Sequence, residues 1–213
     1  VVVVVGNDFD ESLLSEGASD GYHYFSPDRS GAYRLVRKDL SYGPARRLLR
    51  KSSLLMYAVL NLNITSLPAR LGQAGGEFAG NTRRQVSAER VAEGERVTDE
   101  FLARLPAAAG LPPERIVLVL DGVRPDLYDP EGRAAATTSY WGVMRRTMTT
   151  KARAAGFQVL DMEPVFRSRF DADGRRFEFE TDGHWNGYAH GLVARQLESS
   201  QVWSRVFEDA AAE

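Results

Sequence analysis

The chain has 213 residues, 43% hydrophobic and 26% charged, with a net charge of -2, three histidines and no cysteine. This length and composition suit one sizeable α/β domain, or one domain carrying an insertion. The near-neutral charge removes the usual electrostatic reason to bind nucleic acid or an anionic membrane, and the lack of cysteine excludes disulfides, thiolate zinc sites and a cysteine nucleophile.

Val1 to Val5 is an unbroken β-branched run, predicted as a central parallel strand buried on both faces. Gly6-Asn7-Asp8 is its exit loop. Ser12 to Ser30, rich in Gly, Ser, Asp and Tyr, is predicted as a surface loop. Tyr33 to Asn61 spreads Leu35, Leu40, Leu48, Leu49, Leu55 and Val59 among arginines and lysines. It is predicted as one or two amphipathic helices interrupted at Gly43-Pro44, within a helical insertion over 33–82. The longest apolar stretch, Leu54 to Ile64, is too short to span a bilayer and is broken by Asn61 and Asn63, so it reads as a core helix and no membrane span is expected.

Gln85 to Leu105 is predicted as a helix with Val97, Phe101 and Leu105 on one face. After Leu111-Pro112-Pro113, the run Ile116 to Leu120 is the clearest second strand. Tyr140 to Ala155 carries Trp141, Met144, Met148 and Ala152 on a helical stripe and stops at Gly156. Phe157 to Leu160 is a third strand, Asp171 to Gly174 a turn, Arg176 to Glu180 a short exposed strand, and Trp185 to Leu197 a last helix. This alternation is that of a parallel α/β sheet, whose ligands bind beyond the C-terminal strand ends. Gly6-Asn7-Asp8 and Asp121-Gly122 both follow strands and belong to that rim, and a loop can bring Asp182 and His184 to it.

Of the three histidines, His23 falls in the Gly/Ser/Tyr-rich loop and His190 inside the last helix, where packing or capping accounts for it. His184 sits in TDGHWN, two residues after Asp182. A carboxylate beside a histidine fixes its tautomer and stabilises the imidazolium. Asp-Gly before a helix is equally a turn and cap arrangement. Asn7 at a strand end has the same two readings: a turn residue, or an amide donor to an oxyanion. Ser12, Ser15 and Ser139 do not sit in a strand-to-helix elbow that would expose a nucleophilic hydroxyl. Arg124 and Tyr128, in DGVRPDLYDP, are either cleft residues or part of a surface loop closed by two proline turns.

Taken together, Gly6-Asn7-Asp8 after a valine strand and Asp182-Gly183-His184-Trp185-Asn186 before a final helix resemble the third and last motif blocks of the SGNH/GDSL hydrolase family. The resemblance runs from Val1 to about Leu197. Most of that family spaces the last block Asp-x-x-His; Asp-x-His followed by Trp is similar to a branch that includes alginate O-acetylation proteins. Glu180 is a second carboxylate near the histidine.

The resemblance implies a three-layer α/β sandwich with a mainly parallel sheet in flavodoxin-like order 2-1-3-4-5. It makes residues 1–213 one domain that begins at the third strand, with two strands and the nucleophilic serine upstream. It implies a serine esterase with His184 as base, Asp182 as its orienting carboxylate and Asn7 in the oxyanion hole. Gly6 and Asp8 support that hole, Arg124 and Trp185 contact the substrate, and neither a metal nor a cofactor is required. The expected partner is a small-molecule or carbohydrate ester, the compartment being left open between periplasmic or secreted and cytoplasmic. An O-acetyltransferase acting on a polysaccharide, a non-catalytic carbohydrate- or partner-binding module and a metal-dependent hydrolase remain as alternatives.

Overall fold

The computed structural model describes residues 1–5, 21–39, 51–52, 78–79, 82–83, 85–122, 124–180 and 182–208, apart from the side chains of residues 78, 79, 82, 83, 125, 182 and 208. The first strands are β1 (Val2–Val5), β2 (His23–Pro27), β3 (Tyr33–Arg37), β4 (Phe78–Ala79) and β5 (Thr82–Arg83). Helix α1 (Ala88–Ala109) and a 3-10 turn at Pro113–Arg115 lead into β6 (Val117–Leu120). Then come α2 (Arg124–Leu127), α3 (Pro130–Thr138), α4 (Tyr140–Ala154), β7 (Gln158–Asp161) and α5 (Met162–Asp173). The strands β8 (Glu178–Phe179) and β9 (Asp182–Trp185) precede α6 (Gly187–Glu198) and α7 (Gln201–Glu208).

The fold is mixed α/β, built on a small parallel sheet. β6 is apolar at every position because both its faces are covered, as in buried parallel sheets. It pairs in parallel with β1 (Val2 with Val117 through Val5 with Leu120) and with β7 (Val117 with Gln158 through Leu120 with Asp161), giving the order β1-β6-β7. On one face, Leu118 and Leu120 join Val159, Leu102 of α1 and Trp141, Met144 and Met148 of α4. On the other, Val117 and Val119 join Met162 and Phe166 of α5, Leu192 and Val193 of α6, and Phe177. Burying each such side chain contributes roughly 1.5–3 kcal/mol, so β6 is the strand that holds the two halves of the core together.

The valine strand is less buried than its composition suggests. Val3 and Val5 pack against the α1/α4 cluster, while Val2 and Val4 stay about half exposed, at 50% and 54%. These two share a face with Val117 and Val119, by their parallel pairing. The side chains from α5 and α6 cluster over β6, and among the described residues β1 pairs on one side only.

Local chemistry explains the helix boundaries. Ser87 caps α1, its hydroxyl accepting from Arg90 N at 3.3 Å, and Gly110 ends it at φ +65°. Asp129 caps α3 ahead of Pro130, whose missing N–H costs nothing in a first turn. Ser139 ends α3 and starts α4: its hydroxyl donates to Ala136 O at 2.8 Å and accepts from Gly142 N at 3.1 Å.

Several expected elements are corrected. The segment read as helical from Tyr33 begins as β3, antiparallel to β2, which lies inside the span read as loop. The hairpin turns at Asp28, whose carboxylate accepts from Ser30 N at 2.8 Å and Ala32 N at 3.2 Å. Phe25 of β2 then packs with Val97 and Phe101 of α1. The Pro-rich stretch after β6 is helical (α2, α3), Asp171 to Asp173 closes α5 instead of forming a turn, and α7 follows the helix expected to be last. Trp185 belongs to β9 and not to α6. The core helix expected over Leu54 to Ile64 and the break at Gly43-Pro44 lie outside the described residues. No helix among the described residues is long and apolar enough to cross a membrane.

Candidate functional site

At the C-terminal end of β6 the chain turns at Asp121-Gly122. The Asp121 backbone N–H donates to Val5 O at 3.0 Å, which ties this turn to the end of β1. Its carboxylate is buried, at 5% exposure. A carboxylate in such a place needs donors. Arg124, one turn on at the start of α2, donates Nε to both carboxylate oxygens at 3.1 and 2.9 Å. Trp185 of β9 donates its indole N–H to Oδ1 at 3.1 Å. Burial pushes the Asp121 carboxyl up, and the Arg124 guanidinium and the Trp185 N–H pull against it.

A second set of groups surrounds this pair. Glu178 of β8 stands 3.9 Å from the Arg124 guanidinium. The Tyr128 hydroxyl donates to Glu178 and accepts from Phe177 N at 3.2 Å. Arg176 lies 4.2 Å over the Tyr128 ring and donates Nε to Glu178 at 3.0 Å. Burial, then the Glu178 bond, pushes the Tyr128 phenol up to about 12. On the neighbouring strand, Asp161 ends β7 and caps α5 through Glu163 N at 3.2 Å, while Arg145 of α4 pairs with both Asp161 and Glu163.

The Asp182 to Asn186 segment is fastened to this rim at its C-terminal end. Trp185 sits opposite Glu178 in the antiparallel β8/β9 pair, and its ring meets Phe166 edge-on at 6.2 Å. Asn186 caps α6: its side-chain oxygen accepts from Tyr188 N at 3.0 Å and Ala189 N at 3.1 Å. Its amide group donates to Arg176 O and Glu178 O, both at 3.0 Å. His184 lies between these anchors and Asp182, in β9, and is exposed.

The sequence-predicted residues therefore fall in three groups. His184 and the backbone of Asp182 share β9, with the Asp182 side chain outside what is described; Glu180 is exposed just before them. Arg124 and Trp185, expected to contact substrate, both direct their N–H groups at Asp121. Gly6, Asn7 and Asp8 lie outside the described residues. His190 meets the Trp185 ring edge-on at 5.6 Å, and His23 is exposed in β2. Glu178 and Asn186 are the anchors that sequence reasoning left without a role. Asn186 falls inside the helix expected from Trp185, and its capping role follows only from the observed start of α6 at Gly187.

Chemically, the rim offers an exposed imidazole on a short strand whose next residue, Trp185, is fixed by a charge-assisted hydrogen bond to Asp121, stronger than a neutral one. No protein-family model, curated protein or solved structure matches this chain.

Proposed function

We propose that the chain is the histidine-bearing part of a serine esterase of the SGNH type. The observation that carries this reading is the place of His184: exposed on β9, next to Trp185, whose indole N–H is bonded to the carboxylate at the C-terminal end of the central strand. That end of a parallel sheet is where α/β enzymes bind ligands. The sequential order β1-β6-β7, with one hydrophobic cluster on each face of β6, fits the last three strands of a flavodoxin-like order in a three-layer sandwich.

In this mechanism a serine attacks an ester carbonyl. His184 takes the serine proton and returns it to the leaving alcohol. Asp182 orients the imidazole, and the Asn7 amide donates to the oxyanion, a contact worth about 2.7–4 kcal/mol in the transition state. Water as the second acceptor gives hydrolysis; a sugar hydroxyl gives acyl transfer.

The mechanism requires a Gly-Asp-Ser turn, which these 213 residues do not contain. The test is to read the coding DNA upstream of Val1, express the whole protein and treat it with a fluorophosphonate probe. Support is a Gly-Asp-Ser turn after a hydrophobic strand, a single labelled serine within it, and loss of labelling in His184→Ala. Absence of such a turn, or labelling unchanged by His184→Ala, overturns the reading. Turnover of p-nitrophenyl acetate with and without an added oligosaccharide separates hydrolysis from acyl transfer.

A further inference from the structure

Three features bear on how His184 is held. Asp121 is buried at the end of β6 with its backbone bonded to Val5, so it moves only with the sheet. Arg124 grips both of its carboxylate oxygens, which fixes the direction of the carboxylate plane. The bond to Trp185 Nε1 joins this fixed group to β9, 64 residues later in the chain. The only strand that β9 pairs with among the described residues is β8, which is two residues long and irregular in register. So short a ladder does not hold a strand in place by itself.

We infer that Asp121 is a positioning residue: through the Trp185 indole it sets where β9 presents His184 above the C-terminal end of β6. Arg124 serves this arrangement by orienting the Asp121 carboxylate, and not by meeting the substrate. Asn186, the next residue, anchors the same C-terminal end of the segment through Arg176 O and Glu178 O, so Gly183 and His184 follow from a doubly fastened Trp185-Asn186 pair. The inference rests on the reading of His184 as the catalytic base.

The test compares wild type, Trp185→Phe and Asp121→Asn in the whole protein. Trp185→Phe removes the indole N–H while leaving the Asp121–Arg124 pair, and stays informative if Asp121→Asn fails to fold. Two readouts are taken: amide hydrogen exchange in β9 against β6, and steady-state turnover of p-nitrophenyl acetate. The expected result is exchange in β9 faster by about tenfold with β6 unchanged, as for local opening. It is accompanied by a kcat lowered by roughly tenfold to a hundredfold at unchanged KM, the effect of a displaced catalytic group. Unchanged exchange in β9 overturns the inference. Faster exchange with unchanged kcat overturns it too, since β9 is then held without consequence for His184. His184→Ala, assayed alongside, reports separately on the underlying reading: if it keeps full activity, the base assignment fails whatever β9 does.

Discussion

Gly122 lies so close to Glu163 that a Cβ placed on it would come within 2.9 Å of the Glu163 Cα. The loop that carries Asp121 and the first turn of α5 are thus in backbone contact, and only glycine fits between them. Gly122→Ala must push the two apart, an overpacking cost of typically 1–3 kcal/mol. A urea titration of the variant should show a midpoint lowered accordingly with an unchanged slope. A variant as stable as wild type would mean that the loop yields without strain.

Two helical glycines should respond in opposite directions. In α6, a Cβ on Gly191 would meet Arg195 Nη1 at 3.6 Å, an ordinary contact. Gly191→Ala should therefore stabilise by up to about 1 kcal/mol, the helix-propensity difference. In α4, a Cβ on Gly142 would run into the Ala136 carbonyl oxygen at the end of α3. Gly142→Ala should destabilise despite the same propensity gain. Thermal melts of the two variants check this, and a shared sign would contradict it.

Stability should fall at alkaline pH through Tyr128. Its phenol is raised from 10.0 to about 12, so the folded state favours the neutral form. The stabilisation is fully present below pH 10 and drains away as pH rises from 10 to 12. Urea midpoints at about pH 9 and about pH 11 should fall more for wild type than for Tyr128→Phe, which has no phenol to ionise. Equal losses in the two proteins would exclude Tyr128 as the source.

Asn186 does two jobs that two substitutions separate. Asn186→Ala loses the cap of α6, worth about 0.5–2 kcal/mol, as well as the two amide bonds to β8 and its approach. Asn186→Asp keeps the acceptor for Tyr188 N and Ala189 N but loses both donors. Denaturation midpoints should run wild type, then Asn186→Asp, then Asn186→Ala. Equal midpoints for Asp and wild type would show that the amide bonds contribute nothing.

The parts of the fold legible from sequence are those whose pattern records a single strong environment. Ile116 to Leu120 is apolar throughout because both faces are covered, and Trp141, Met144 and Met148 mark the buried stripe of α4. The hairpin was hidden because the residues of β3, YRLVR, leave Leu35 exposed and so break the alternation that marks a half-buried strand. The prolines near α2 and α3 look like turn formers; Pro130 instead begins a helix behind the Asp129 cap. Val1 to Val5 misled in another way, since β-branched composition reports a strand but not what covers it.

The rim was legible only as a set of strand ends. His184 and Asp121 could be assigned to it from the order of elements. Which partner each would find depends on contacts across many residues, such as Trp185 with Asp121 and Tyr128 with Glu178. No local pattern encodes those pairs.

The separation between partners in the sheet also bears on how fast the protein assembles. Val1 O accepts the backbone N–H of Val117 at 2.9 Å where β1 meets β6, joining strands that lie far apart in the chain. Closing so long a loop costs chain entropy before any contact repays it, and parallel pairing of distant strands is correspondingly slow. During that interval the apolar β6 waits for its neighbour with an unpaired edge open to other chains. Recovery of this protein from denaturant should therefore depend on dilution more than its final stability would suggest.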